Sequence, residues 1–394
     1  MIKRLINPLK QKSFFLFGAR GVGKSTFLKE HFKNQRVLWF DLLDAELEDR
    51  FTLYPKEFYT QISGQLKKIE WVVIDEVQKC PKLLNYVQKL MVEDKIKFAL
   101  TGSSARRLKQ KGTNLLAGRA LVESLYPFTF LELGDSFNLQ QVLQTGSLPE
   151  VVTSSTPEEM NGFLRSYVLN YLKLEIQAEQ WVRKLDPFRR FLPIAAQMNT
   201  KILNYTNIAQ DVGVDTTTIQ SYFDILEDTL LGVRLPAYAR SIRKQQRKAP
   251  KFYFFDSGVK RAAERALDVP LTPGTYGFGE AFEHLVFVEL FRLAQYFKKD
   301  YEFSYLLTKD GAEIDLIVDR PGKPLCLIEI KSKDRVDERD IKNLSHFQGD
   351  FKKADFFLLS NDPNTKRIAS VQALPWREGI LEILGIKSGP ISRS

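Results

Sequence analysis

Short apolar runs recur through the first third of the chain, at 13–17, 36–41, 71–75, 96–101 and 120–125. Each is five or six residues long and nearly continuous in hydrophobicity. That is the pattern of strands buried on both faces, not of amphipathic helices. Stretches with helical spacing, such as 80–94, separate them. The alternation predicts an α/β layer built on a parallel sheet, with ligands bound at the carboxyl ends of the strands. Beyond residue 150 the pattern changes. Thr156 followed by Pro157 predicts a capped helix start after a polar linker, with helix continuing to about residue 183. Residues 206–228 predict a helix-turn-helix. Thr206 caps a short helix Asn207–Asp211, Gly213-Val214-Asp215 makes the turn, and Asp215 caps a helix Thr216–Asp228. Two strand-like runs, 230–235 and 251–255, flank a basic loop. An apolar helix opens at Glu280 and runs to about Phe297. Two strands follow, 312–318 and 325–331, joined by a turn at 319–324. These shifts place boundaries at 1–150, 151–256 and 257–394.

Candidate chemistry sharpens the first segment. Gly18-Ala19-Arg20-Gly21-Val22-Gly23-Lys24-Ser25-Thr26 follows the strand at 13–17 and opens a helix, the context a phosphate-binding loop needs. Gly18, Gly21 and Gly23 let backbone N–H groups turn inward around phosphates. Lys24 reaches the β- and γ-phosphates, and Ser25 ligates Mg²⁺. The run Trp71-Val72-Val73-Ile74 ends in Asp75-Glu76, a Walker B arrangement. Asp75 holds Mg²⁺, and Glu76 polarises the attacking water. Thr101-Gly102-Ser103-Ser104 ends another strand, and Ser103 is the candidate contact to the γ-phosphate or the water. Arg119 sits among apolar residues, so it is either half of an ion pair or a finger aimed at a neighbouring subunit's nucleotide. The expected cofactors are ATP and Mg²⁺.

These motifs, with Ile74-Asp75-Glu76-Val77-Gln78-Lys79-Cys80-Pro81, Ala117-Gly118-Arg119 and Gly146-Ser147-Leu148-Pro149-Glu150 in series, resemble the AAA+ ATPases of archaea and bacteria whose C-terminal half was long a domain of unknown function. The resemblance implies that the Ser-Ser turn is a polar sensor. It also implies that Arg119 is a finger and that Pro149 lies near the nucleotide base. Ser25 stands where that family often has Thr, and the hydroxyl needed for Mg²⁺ is kept.

Charge and composition extend the picture. The chain has 394 residues, a net charge of +10 and 44% hydrophobic residues. This is enough apolar mass for more than one core, and the charge favours an anionic partner. Cys80 and Cys326 are far apart and lack metal-ligand spacing, so they read as packing residues of a reducing compartment. No apolar run approaches 18 residues and no signal peptide is recognised, so the expectation is a cytoplasmic protein without a membrane partner. The basic loop carries Arg240, Arg243, Lys244, Arg247, Lys248 and Lys251 with no acid, and predicts sequence-independent contact with DNA phosphates. The second helix of the helix-turn-helix carries Asp224, Glu227 and Asp228 but no Lys or Arg, which argues against deep base readout. The bland alternative is a lid or assembly module with a solvated hairpin.

In the last segment, period-two geometry puts Glu329 and Lys331 on one strand face. A hairpin centred on Gly322 sets Asp315 opposite Glu329. Two carboxylates about 5 Å apart repel by about 3 kcal/mol at an effective dielectric of about 20, and a divalent cation would offset that. Glu283, with Glu280 as alternative, adds a third carboxylate from the helix. Lys331 orients water or stabilises developing charge. Gln348 is an optional further contact, and His284 and His346 read as packing or surface residues. Helix Glu, strand Asp and Glu-x-Lys resemble the PD-(D/E)XK nucleases. In the ATPase family named above, the C-terminal half carries this nuclease-like fold.

The expected architecture is therefore a P-loop AAA+ domain with a parallel sheet, then a helical lid and winged helix, then an α/β PD-(D/E)XK nuclease-like domain. The expected function is an ATP-hydrolysing motor on branched or duplex DNA, working as a homo-oligomeric ring, with a hexamer as one candidate. The alternative is a nucleotide-switched regulatory ATPase whose nuclease-like half only binds a partner.

Overall fold

The computed structural model describes residues 2–103, 116–171, 185–239 and 248–386. The chain divides into two compact units. The first comprises 1–133, 148–150 and 224–231, and the second 134–147, 151–223 and 232–394.

In the first unit, β1 (Ser13–Phe17), β2 (Val37–Asp41), β3 (Trp71–Asp75), β4 (Lys97–Gly102) and β5 (Ala120–Ser124) form a sheet in the order β2-β3-β4-β1-β5. All of its pairings are parallel. β1 and β3 are buried along their whole length, as their unbroken apolar sequences require. Helices Ala45–Leu53, Pro55–Ser63 and Leu83–Glu93 lie among the connections. Phe51, Phe58, Val87 and Leu90 join Phe15, Val72, Ile74 and Phe98 in one core. β1 sits between β4 and β5, so connections leave it in opposite directions and a crevice opens beyond its carboxyl end.

In the second unit, β8 (Glu302–Leu307), β9 (Glu313–Asp319), β10 (Cys326–Lys331), β11 (Asp355–Ser360), β12 (Lys366–Ile368) and β13 (Val371–Pro375) make a mixed sheet, β12-β13-β11-β10-β9-β8. β10 and β9 pair antiparallel with Ile328 opposite Leu316, and β10 and β11 pair parallel. Gly322 takes φ 77° in the turn, a conformation glycine adopts without a steric penalty. β6 (Gly232–Leu235) and β7 (Lys251–Phe254) form a separate antiparallel ribbon.

Several sequence expectations shift. The first helix of the helix-turn-helix runs Tyr205–Val212, capped by Asn204 rather than Thr206, because Asn204 accepts from the Asn207 N–H at 3.1 Å. Asp215 caps Thr216–Asp228 as expected, accepting from Thr218 N at 2.8 Å. The Thr156 cap is a full capping box with Glu159. That helix leaves α geometry at Tyr167, where Tyr167–Tyr171 is a π-helix, and its expected continuation to 183 lies outside the described residues. The apolar helix starts at Tyr276, capped by Thr275, four residues before Glu280. A boundary at 256 does not separate compact units. β7 packs on the helix Tyr276–Tyr296, with Tyr253 and Phe287 ring centroids 4.1 Å apart and His284 Nε2 2.6 Å from the Phe254 carbonyl.

Two glycines of the second unit test this packing. A Cβ on Gly258 would strike the Thr145 carbonyl oxygen, whereas Gly162, in the helix Pro157–Ser166, has open space around it. Gly258→Ala should destabilise by about 2 kcal/mol. Gly162→Ala should stabilise by up to about 1 kcal/mol. Denaturant unfolding of both variants beside the parent chain checks the opposite signs.

Candidate functional site

Two constellations of functional side chains form, one in each unit. In the first, β1 delivers the phosphate-binding loop into the crevice. Gly23, at φ 91°, is the residue before the helix Lys24–His31. A Cβ on Gly18 would come within 2.6 Å of the Leu125 carbonyl oxygen, so this close approach of β5 to the loop admits only glycine. Lys24 is buried and donates to the Gly18 carbonyl at 2.8 Å and the Ala19 carbonyl at 3.4 Å. Ser25 Oγ donates to Asp75 Oδ2 at 2.5 Å, which brings the loop hydroxyl to the acid ending β3. Thr101 Oγ donates to Asp75 Oδ1 and accepts from the Glu76 N–H at 2.9 Å. Glu76 has φ 58°, a left-handed conformation that is uncommon outside glycine and tends to be kept where geometry matters. Its carboxylate lies 3.9 Å from Lys24 Nζ and accepts from Gln78 Nε2. Gln78 also donates to Ser103 Oγ at 3.4 Å. A hydroxyl and a carboxylate in contact are the donor set that Mg²⁺ takes beside a triphosphate, so Ser25 and Asp75 fit it.

The sequence reading placed Lys24, Ser25, Asp75, Glu76 and Ser103 here, and the fold brings them together. It missed Thr101 and Gln78. The signal for Thr101 was its place ending the strand between β1 and β3, which only the sheet order reveals. Gly21 takes φ 81° in the loop. Thr26 and Pro149 line a cavity of about 470 Å³ with Val22, Gly23 and Phe27. The amino-terminal residues Ile2, Lys3, Arg4, Ile6 and Asn7 supply its other wall, which sequence reasoning did not anticipate. Arg4 holds that segment down through Glu132, at 3.1 Å, and lies over the Phe128 ring. Arg119 is exposed, not buried as its apolar neighbours suggested, because Leu116 takes the buried place in that turn.

In the second unit, continuing the β9–β10 register sets Asp315 opposite Glu329. Asp315 Oδ2 accepts from the Ile330 N–H at 2.8 Å. Lys331 Nζ lies 2.6 Å from Glu329 Oε1, which also accepts from Asn343 at 3.4 Å. Glu329 Oε2 is buried and without a hydrogen-bond partner among the described residues. Burial first, then Asp315, pushes the Glu329 carboxyl up to about 8. Burial also raises Asp315.

One sequence assignment is corrected. Lys251, read as a DNA phosphate contact, is 4% exposed. Its Nζ lies 2.5 Å from Glu313 and 3.5 Å from Glu283. Burial works against this ammonium, but Glu283, Asp315 and Glu313 outweigh it and raise its pKa. It faces inward because it opens β7, whose four residues are all buried. Glu283, the expected third metal ligand, lies 3.5 Å from Lys251 Nζ and accepts from the Tyr253 hydroxyl at 2.8 Å. Burial, only partly offset by Lys251, pushes it up to about 7. Glu280 pairs with Lys201 at 3.2 Å. Among the described residues no three His, Cys, Asp or Glu side chains form a metal-holding group. What remains is a two-carboxylate arrangement, Asp315 and Glu329. Four acids (Glu283, Glu313, Asp315 and Glu329) face two ammonium groups, Lys251 and Lys331, so acids outnumber cations and the Glu283 and Glu329 carboxyls are held well above their usual range. With the unpartnered Glu329 oxygen, that fits one Mg²⁺, which binds through one or two carboxylates plus water or phosphate oxygens. Of the basic loop, Lys248 is exposed, and Arg240, Arg243, Lys244 and Arg247 lie outside the described residues. His284 is a packing residue, held neutral because burial pushes it down to about 3. No helix among the described residues is long and apolar enough to cross a membrane.

Comparison with known proteins adds the following. Residues 10–134 match the family model of an AAA domain. Residues 136–269 match a domain of unknown function (DUF8612), and 278–378 another (DUF4143). An uncharacterised protein of Methanocaldococcus jannaschii is 24% identical, with 97% of this chain and 87% of that protein covered. One from Haemophilus influenzae is 22% identical, covering 85% and 86%. One from Mycobacterium tuberculosis is 26% identical over 64% of this chain, and the chain spans 57% of that protein's length. Among solved structures, the replication initiator DnaA bound to AMPPCP and single-stranded DNA covers 55% of this chain and 82% of its own at 15% identity. Its TM-score is 0.24, too low to bear on function. The first unit thus carries an AAA ATPase domain over residues 10–134.

Two outcomes follow. Thr101→Val keeps the volume but removes both hydroxyl bonds, so ATP turnover should fall about tenfold or more while nucleotide binding persists. Steady-state phosphate release with a nucleotide titration checks it. In the second unit, the raised Glu329 carboxyl makes the metal-free protein most stable below its unfolded value near 4.5. That stability is lost as pH rises toward about 8. Glu329→Gln should therefore gain in unfolding midpoint over the parent as pH rises from 5 to 9 in chelator, and show no gain at pH 4.

Proposed function

We propose that this chain is an ATP-hydrolysing motor that remodels or moves on DNA, branched DNA included, and that its second unit holds a Mg²⁺-dependent centre for phosphodiester bonds. The observation that carries the first half is the contact of Ser25, Asp75 and Thr101 beside Lys24 and Glu76. Lys24 leaves its two loop carbonyls to bind the β- and γ-phosphates. Glu76, held by Gln78, accepts the proton of the attacking water, and Ser103 hydrogen-bonds that water or the γ-phosphate. Ser25 and Asp75 would hold Mg²⁺, which would neutralise phosphate charge there. Pro149 and the amino-terminal segment wall the cavity that takes the base. Arg119, being exposed, is free to reach a nucleotide on a second copy of the chain, which supports a ring.

For the second half, the support is the paired carboxylates Asp315 and Glu329 with Lys331 beside them. Mg²⁺ at these two acids would act as a Lewis acid on a phosphate oxygen. Lys331 steadies the charge that develops on the phosphorus oxygens. The helix pair around Gly213 and the β6–β7 ribbon support a winged-helix reading. The basic residues Arg240, Arg243, Lys244, Arg247 and Lys248 then supply phosphate contacts, with Lys251 removed from that set. A second reading, a centre that holds DNA or a partner without cutting, is favoured by Lys251, which already neutralises Glu283 and Glu313.

Labelled linear, flapped and four-way DNA incubated with and without ATP and Mg²⁺ tests both. The motor reading expects ATP-dependent remodelling that Lys24→Ala abolishes while DNA binding remains. The cutting reading expects Mg²⁺-dependent cleavage lost in Asp315→Asn with ATPase activity intact. Remodelling without any cleavage selects the second reading, and an ATPase indifferent to DNA contradicts the motor.

A further inference from the structure

A cavity of about 480 Å³ lies in the second unit, wholly within the residues matched by the first domain of unknown function. It shares no residue with the carboxylate centre. Its floor is apolar, with Leu192, Ala263 and Leu267 buried. Its rim carries three guanidinium groups, Arg165, Arg189 and Arg265, and one acid, Asp268. That volume falls within the range of small-molecule sites, where an apolar lining and a few converging polar groups fix a ligand.

The backbone is irregular on three sides of this cavity. Val168 and Leu169 come from the π-helix Tyr167–Tyr171, a feature frequent at functional sites. Pro193, inside the helix Leu185–Gln197, deprives the Arg189 carbonyl of its helical donor. Arg265 follows a helix end at φ 63°, a position usually filled by glycine. Its loop is braced by Arg261, which is buried and donates to the carbonyls of Ala266 and Val269.

The rim charges are open to exchange. Arg165 pairs with Asp268 at 2.5 Å and Arg189 with Asp186 at 3.2 Å, but both pairs are about half exposed or more, where such bonds contribute little. Arg265 has no acidic partner among the described residues. Guanidinium forks match carboxylate and phosphate oxygens in pairs. We propose that this cavity binds a small anionic ligand with a phosphate or carboxylate head and an apolar body.

Titration calorimetry on the full chain, with ADP present to occupy the phosphate loop, tests this with octyl phosphate, octanoate and uncharged octanol. One-to-one binding of octyl phosphate or octanoate, without comparable binding of octanol, is the expected result, and the tighter of the two names the head group. Arg265→Gly should weaken that binding about tenfold, the loss of one charge-assisted contact. It should also raise the unfolding midpoint, because glycine accepts the positive φ. Leu169→Glu places a negative charge at an exposed wall position and should weaken binding at least as much. Octanol binding as tightly as the anions, no binding of either anion at millimolar concentration, or unchanged affinity in Arg265→Gly would each overturn the proposal.

Discussion

The parallel register of β3 on β4 is the constraint on which the ATPase centre depends. Ile74 lies opposite Leu100, so the next residues along, Asp75 and Thr101, finish side by side at the same sheet edge. β4 also pairs with β1, Leu16 opposite Thr101, so the loop leaving β1 emerges beside them. Three strand ends converge because all three strands run the same way, and the Ser25–Asp75–Thr101 contacts follow. A shift of one residue in β4 would turn Thr101 to the other face and remove the hydroxyl.

The second unit solves a different electrostatic problem. Crowding four carboxylates together, with Glu329 buried and Glu283, Asp315 and Glu313 partly exposed, is unfavourable, and the chain offsets part of it with two lysines placed on β7 and β10. The remainder appears as raised carboxyl pKa values and an oxygen without a hydrogen bond. A fold optimised only for stability would put amides or apolar groups at these positions.

Much of the first unit was legible in the sequence, because buried parallel strands read as continuous apolar runs and the phosphate loop needs fixed glycines. The five strands fall within a residue or so of their apolar runs. The Asp315–Glu329 pairing was legible too, since Gly322 at the centre of a hairpin fixes the register. What escaped was whatever depends on tertiary neighbours. Nothing in a basic run marks Lys251 as turned inward, because its acidic partners Glu283 and Glu313 are 32 and 62 residues away. Arg119 seemed buried from its neighbours, yet the turn at Leu116 to Gly118 directs it outward. The amino-terminal wall of the nucleotide cavity depends on Arg4 meeting Glu132, a contact 128 positions apart.

The most direct measurement is steady-state ATP hydrolysis by the full chain, with and without Mg²⁺ and with increasing duplex DNA. The account predicts turnover that requires Mg²⁺ and rises as DNA is added. Absent turnover, or a rate unchanged by chelation and by DNA, would contradict it.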